Sequence, residues 1–241
     1  MTSTLWPKRF LAATCMAIAG AVSGVAQEAP EQWTVVYIGD SGLPEATRFY
    51  AEQIEKDFRV NAFYTQRNTS MVLHATRMLQ SGAWNVVGEA DVVVVLITNS
   101  NDRPGFCTDQ PGDQPIRWTL DEVSSMIDGF LQTLSDITDP EAQIIRIANE
   151  AVLPDDLARW KENGVATECL DMMHGINQAW SSATQKYGFT LIDFFEPWSG
   201  PDGTAEPPSA FYLEDGRHLT TEGAEAAAAL LLEPGYQPLE P

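Results

Sequence analysis

The chain has 241 residues, of which 44% are hydrophobic and 20% are charged, and its formal net charge at pH 7 is −20. This length and composition predict one domain of ordinary size with a substantial apolar core. The negative charge disfavours phosphate backbones and anionic lipid surfaces, so we expect no nucleic-acid partner.

The first thirty residues have the pattern of an export signal. Two basic residues precede an apolar stretch at 10–22, and small residues follow as far as Ala26. We expect cleavage after Ala26, which makes 1–26 a signal peptide and 27–241 a single mature domain, secreted or periplasmic. The apolar stretch is too short and too rich in alanine for a stable membrane span. Because the removed segment carries two basic residues and no acid, the formal charge of the mature chain becomes −22.

The N-terminal part of the mature chain alternates between strand and helix patterns. Apolar residues around Val35 to Ile38 predict a strand, and apolar positions at helical spacing from Ala46 predict a helix that continues to about Asp57. Residues 59–65 predict a second strand. Residues 69–82 predict a helix closed by a glycine.

The clearest strand lies at 90–99, where four consecutive valines indicate burial on both faces, as in the middle of a parallel sheet. A loop rich in proline, glycine and aspartate follows at 103–117. The next helix is predicted to begin at Thr119, which is spaced from Glu122 as in a capping box. Its predicted apolar face consists of Leu120, Val123, Ile127, Phe130 and Leu134.

The C-terminal half continues the alternation. Strands are predicted at 142–149 and 189–195, with a short and a longer helix between them, and Gly188 stops the longer one. A last helix is predicted at about 220–232. Strands that alternate with helices predict an α/β fold with a five-stranded, mostly parallel sheet covered on both faces, which is a three-layer α/β/α sandwich.

Two cysteines remain after the signal peptide is removed, Cys107 and Cys169. In an oxidising compartment they either pair or remain as buried thiols, and the sequence leaves both possibilities open. Neither cysteine has the histidine or cysteine neighbours of a metal site, so we expect no metal and no cofactor.

A serine follows the first strand in an unusual setting. Ser41 comes after Gly39 and an aspartate, and Pro44 suits the first turn of a helix. We therefore predict that Ser41 lies in a strand-to-helix turn at the rim of the sheet, next to free backbone N–H groups. A serine hydroxyl acts as a nucleophile only with a base and a carboxylate that orients the base.

Three histidines are available as that base. His74 and His174 lie in the middle of predicted helices without an acid in a nearby turn, so we expect structural roles for them. His218 follows Asp215 by three residues, in a turn that contains glycine. This spacing can bring the carboxylate to one imidazole nitrogen and leave the other free as a general base. Taken alone, the segment is equally compatible with an incidental surface pair.

Taken together, these motifs resemble those of the GDSL/SGNH hydrolase family. Ser41 follows Gly-Asp, Asn101 precedes Asp after the valine-rich strand, and Asp215-Gly-Arg-His218 precedes the last helix with the continuation "HLTxxG". The resemblance covers residues 33–232. It implies a flavodoxin-like SGNH hydrolase fold in which Ser41 is the nucleophile, His218 the base and Asp215 the acid that orients it.

The resemblance also implies an oxyanion hole made of the nucleophile's own N–H, a glycine N–H and an asparagine side chain. The first donor is the backbone of Ser41. The sequence "ITNSND" offers both Asn99 and Asn101, and the Asn-Asp pair favours Asn101. The usual glycine is absent after the second strand, so the N–H of Arg67 or Asn68 would have to replace it.

We therefore expect a carboxylic ester hydrolase that acts on short-chain acyl esters or acetylated glycans. The sequence contains no extended apolar lid of the kind that a lipase uses at an oil surface. The alternatives are a periplasmic O-acyltransferase with the same triad and a non-catalytic glycan-binding protein. The long loops carry aromatic residues that either contact the substrate or seal the loops onto the core, namely Trp118, Trp198, Phe211 and Tyr212.

Overall fold

The computed structural model describes residues 33–39, 54–61, 70–97, 107, 118–148, 154–193, 198, 200, 205, 209–211, 213, 220–223 and 225–226. All of them lie within one compact unit, 31–241. The predicted signal peptide lies outside the described residues. Of the helices in the described part, none is both long enough and apolar enough to cross a membrane.

Strands and helices alternate along the described part of the chain. The strands are β1 (Trp33–Gly39), β2 (Ile54–Asn61), β3 (Val92–Leu96), β4 (Gln143–Ala148) and β5 (Thr190–Asp193). The α-helices are α1 (Met71–Gln80), α2 (Leu120–Ile137), α3 (Pro154–Glu162) and α4 (Ala166–Lys186). Short 3₁₀ turns occur at Asn85–Glu89 and Ser209–Phe211.

The five strands form one sheet in the order β2-β1-β3-β4-β5, and every adjacent pair is parallel. The α/β class and the parallel sheet are therefore confirmed. Parallel neighbours require crossover connections, which return the chain to the edge where the previous strand began. Helices α1, α2 and α4 lie in such connections.

The sheet is buried on both faces. Val36, Val93 and Val95 belong to the core cluster that also contains side chains of α1, α2 and α4. Val35 and Val94, which point to the opposite face because side chains alternate along a strand, are equally buried. The valine run of β3 therefore has the burial that its lack of polar alternation predicted.

Helices α1, α2 and α4 form one helical layer of the predicted sandwich. Helix α2 packs against both α1 and α4 on the same face of the sheet, and the rings of Phe130 and Trp180 meet edge to face with centroids 6.1 Å apart. Of the predicted last helix, residues 221–223 and 225–226 are helical. The predicted helical residues 46–53 lie outside the described part.

Local sequence signals fix the ends of the helices. The hydroxyl of Thr119 accepts a hydrogen bond from the Glu122 N–H, and the Glu122 carboxylate accepts one from the Thr119 N–H, so the predicted capping box is present. The hydrogen bonds that the Thr119 N–H and the Thr119 hydroxyl donate to the Glu122 carboxylate favour its charged form and lower the pKa of Glu122. After the C-terminal end of α4, Gly188 has φ 73°, a left-handed conformation that glycine adopts without a steric penalty.

Two details of the prediction were wrong. Residues 54–57 were expected to end a helix, but they form the first half of β2 and pair in parallel with the beginning of β1. The apolar pattern Ala46, Phe49, Tyr50 and Ile54 was extrapolated to Asp57, but from Ile54 onward backbone pairing with a neighbouring strand prevails, which local sequence does not reveal. Leu120 was placed on the buried face of its helix, but it is 37% exposed and packs against Gly175 of α4 at the helix start.

We expect Phe130→Ala to lower the free energy of unfolding by about 3–5 kcal/mol, because it removes a fully buried ring and leaves a cavity against Trp180. Urea denaturation would measure the change. Gln132→Ala, an exposed site on the same helix, is the matched control and should change stability by less than about 0.5 kcal/mol. Equal effects of the two substitutions would contradict the assignment of this face of α2 to the core.

Candidate active site

Three strands end side by side at the carboxyl edge of the sheet. Gly39, the last residue of β1, is paired with Asn61, the last residue of β2, and with Leu96, the last residue of β3. The segments that follow these three strands therefore leave the sheet from neighbouring positions.

The order of the strands makes this edge a topological switch point. From β1 the chain moves to β2 on one side and then returns to β3 on the other side. In open parallel sheets, such a reversal leaves a crevice at the carboxyl ends of the two strands, where ligands bind. The Gly-Asp-Ser motif follows β1, and the Asn-x-Asn-Asp motif follows β3.

The loop that carries the predicted Asp215 and His218 is closed at its base. The N–H of Thr220 donates to the carbonyl of Phe211 over 2.9 Å, and its hydroxyl donates to the carbonyl of Ala210 over 2.6 Å. The same hydroxyl accepts a hydrogen bond from the Gly223 N–H over 3.1 Å and thus caps the helix that begins there. Phe211 and Thr220, which flank residues 212–219, are therefore held together.

Close packing supports this loop base. The α-carbon of Gly223 lies against the backbone carbonyl of Phe211, so any side chain at this position would collide with it. The side chain of Phe211 is held as well: its ring contacts the buried ring of Trp198, with centroids 5.3 Å apart. The aromatic residues of the loops were expected either to contact the substrate or to seal the loops onto the core. For Trp198 and Phe211, this packing favours sealing.

The predicted catalytic groups themselves lie outside the described residues. This applies to Ser41, Asp215 and His218 and also to the candidate oxyanion donors, namely Arg67, Asn68, Asn99 and Asn101. Their roles stay predictions. The structure describes the ends of the strands that precede these residues, and it describes Phe211 and Thr220, which flank the Asp-His segment.

The other two histidines are helical and half-buried. The ring of His74, on α1, meets the ring of Trp84 edge to face at 6.5 Å, and His174 lies on α4. A ring contact of this kind is typical of a structural histidine. Among the residues that the structure describes, no group of three or more metal-ligating side chains lies together.

The sequence left the state of the cysteines open, and the structure joins them in a disulfide between Cys107 and Cys169. Sequence reasoning also missed the group beside it: the buried indole N–H of Trp160 donates to the carbonyl of Cys107 over 3.1 Å. No sequence motif around Trp160 or Cys107 indicates that these two residues form a hydrogen bond. The even number of cysteines in a predicted exported chain was the available signal.

Comparison with known proteins gives a fold and no close relative. No family model matches the sequence, and no curated protein matches it.

Solved structures match over most of the chain. TesA has a TM-score of 0.51 at 12% identity, covering 86% of this chain and 99% of its own. A GDSL-like lipase from Bacteroides thetaiotaomicron has a TM-score of 0.53 at 12% identity, covering 87% of this chain and 91% of its own. An acetyl xylan esterase, AlAXEase, has a TM-score of 0.51 at 12% identity, covering 83% of this chain and 98% of its own.

The strand order and these matches define the fold class. The chain is an α/β protein with a parallel sheet and a switch point between β1 and β3. More specifically, it has the fold of the GDSL/SGNH esterases and lipases, so the resemblance drawn from the motifs is confirmed at the level of the fold. Identities this low carry the fold alone and leave the chemistry to be argued from the chain's own residues.

We expect Thr220→Val to loosen the loop base, because valine keeps the shape of threonine and removes the hydroxyl that bonds Ala210 and Gly223. Amide hydrogen exchange at Gly223 should become about fivefold faster, which corresponds to the loss of one ordinary hydrogen bond. Thr220→Ser keeps the hydroxyl and should exchange at nearly the parent rate. If the serine and valine variants exchanged equally fast, the hydroxyl would have no role in closing the loop.

Proposed function

We propose that this chain is an exported serine ester hydrolase of the SGNH type, in which Ser41 is the nucleophile, His218 the general base and Asp215 the carboxylate that orients it. The observation that carries the proposal is the register at the carboxyl edge, where Gly39 is paired with both Asn61 and Leu96. The motifs that follow these strands thus start from adjacent positions beside the switch point.

The lengths of chain involved are compatible with this role. Ser41 is two residues beyond Gly39, and Asn99 is three residues beyond Leu96. Neighbouring strands lie about 4.8 Å apart, and a residue spans at most about 3.6 Å. Both side chains can therefore reach one carbonyl group of a substrate. Asn101, which the motif favours, has two more residues of reach.

The proposed reaction proceeds through an acyl-enzyme. His218 accepts the proton of the Ser41 hydroxyl while the oxygen attacks the ester carbonyl carbon, and the alcohol leaves with that proton. Water then gives a proton to His218 while its oxygen attacks the acyl carbon. His218 passes that proton to the Ser41 oxygen as the bond between this oxygen and the acyl carbon breaks, which releases the acid and restores the Ser41 hydroxyl. Asp215 stabilises the imidazolium that forms in both steps. The hydrogen bond between Thr220 and Phe211 supports this role because it joins the two residues that flank the Asp-His segment.

Each tetrahedral intermediate carries a negative oxygen that needs donors already in position. We assign the Ser41 N–H, the side-chain amide of Asn101 or Asn99, and the backbone N–H of Arg67 or Asn68 to this oxyanion hole. All three segments follow strands that end in register, which is the arrangement that lets them converge on one atom.

The proposed substrates are short-chain acyl esters or acetylated glycans, outside the cytoplasm. An acetyl xylan esterase is among the solved structures with this fold, which supports a small acyl group. The proposal includes the signal peptide at 1–26, a single SGNH domain at 27–241, and a second helical layer that completes a flavodoxin-like three-layer sandwich. The burial of Val35 and Val94 on the face opposite α2 supports that second layer.

We expect Ser41→Ala to reduce hydrolysis of p-nitrophenyl acetate by at least about 10⁴-fold, because the acyl-enzyme cannot form. The matched control is Ser81→Ala, an exposed serine at the end of α1, which should leave turnover unchanged. Running p-nitrophenyl octanoate alongside tests the substrate class, and we expect faster turnover of the acetate. Residual activity in the Ser41 variant near the parent level would rule out this nucleophile.

We expect His218→Ala to abolish turnover to a similar extent, whereas His74→Ala and His174→Ala should retain it. The last two residues lie on α1 and α4, away from any motif that follows a strand end. Steady-state kinetics of the three purified variants would measure this. An essential role for either helical histidine, with an active His218 variant, would show that the base has been wrongly assigned.

A further inference from the structure

A second apolar cluster lies apart from the main core. Its buried members are Cys107, Trp160, Cys169 and Met173, each at most 3% exposed. It joins α3 and α4 to a residue from the long segment between β3 and α2. This segment also contains the candidate oxyanion asparagines, and Cys107 follows Asn101 by six residues.

Two bonds hold Cys107 in this cluster. Its sulfur is joined to Cys169, which is 62 residues away along the chain. Its carbonyl accepts the indole N–H of Trp160 over 3.1 Å in a buried environment. A buried carbonyl without a donor is costly, so the Trp160 hydrogen bond fixes the backbone of Cys107 as well as its side chain.

The topology places this anchor at the carboxyl edge of the sheet. The connection between the parallel strands β4 and β5 contains α3 and then α4, and α4 ends at Lys186, shortly before β5 begins at Thr190. Because β5 begins at the amino edge, α4, which contacts both strands, runs back along the sheet from the side of the carboxyl edge. Cys169 lies in the first turns of α4. The far end of the segment is also attached to α4, because Leu120 at the start of α2 packs against Gly175.

We infer that Trp160 is a positioning residue for ester hydrolysis and that, together with the Cys107–Cys169 disulfide, it holds the segment that supplies the oxyanion-hole asparagine. This inference rests on the proposed function. An oxyanion donor acts through its placement, and a displacement of about 1 Å is enough to slow catalysis strongly. The anchor therefore affects the rate of the chemical step and leaves ground-state binding of the ester largely unchanged.

The test is Trp160→Phe in the mature chain, which keeps an aromatic ring and removes the N–H. We expect kcat for p-nitrophenyl acetate to fall about tenfold at nearly unchanged KM, the pattern of an interaction made only in the transition state. The matched control is Met173→Leu, which alters the same cluster without touching the Cys107 carbonyl and should keep the parent kcat. Circular dichroism would confirm that both variants are folded at the assay temperature.

A second variant keeps the inference testable if Trp160→Phe does not fold. Cys107→Ala combined with Cys169→Ala removes the disulfide and should also lower kcat at unchanged KM. Adding Trp160→Phe to this double variant should lower kcat by less than the product of the two separate fold-changes, because both changes act on the position of Cys107. Parent-level kcat in folded Trp160→Phe, or an equal loss in Met173→Leu, would overturn the positioning role. A parent chain whose turnover survives Ser41→Ala would instead refute the proposed function itself.

Discussion

The hydrogen-bonded register of β1 is the constraint on which the rest of the structure depends. This strand is paired on both sides, and both of its faces are buried. The β1–β2 ladder has one irregularity, between Trp33 and Thr34. Beyond it, a shift of one residue would turn every side chain to the opposite face and disturb two ladders at once, so the register from Thr34 to Gly39 is strongly specified. The register also sets where β1 ends relative to β2 and β3. It thereby sets where the Gly-Asp-Ser motif begins, because Gly39 is the last residue of β1.

The proposed catalytic groups come from opposite ends of the mature chain, and their assembly relies on tertiary contacts. In the proposed site, the serine segment follows β1, which is paired on both sides, and the Asp-His segment lies between Phe211 and Thr220, which are hydrogen-bonded to each other. The ring of Phe211 also packs on Trp198. The candidate asparagines leave β3 and are followed by the Cys107 anchor. The described strands and anchoring contacts thus flank, along the chain, the three segments to which we assign the chemistry, a common division between scaffold and site.

The sequence predicted those features that depend on local chemistry. The valine run of β3, the capping box at Thr119 and the glycine after α4 each have a cause within a few residues, and the structure confirms all three. The strand at Ile54 was missed because its partner lies in β1, about twenty residues away along the chain. The disulfide and the Trp160 hydrogen bond join residues more than fifty positions apart, so no local pattern could specify them. For the site, the motifs identified candidate residues by type and order, and the structure adds the shared edge from which they extend.

The central claim is that Ser41 is a nucleophile activated by His218, and covalent labelling tests it most directly. Diethyl p-nitrophenyl phosphate transfers its phosphoryl group to an activated serine and releases p-nitrophenol. We expect stoichiometric release from the mature chain, a diethylphosphoryl group on the peptide that contains Ser41 by mass spectrometry, and no labelling of His218→Ala. Labelling at another residue, or equal labelling in the absence of His218, would contradict the account.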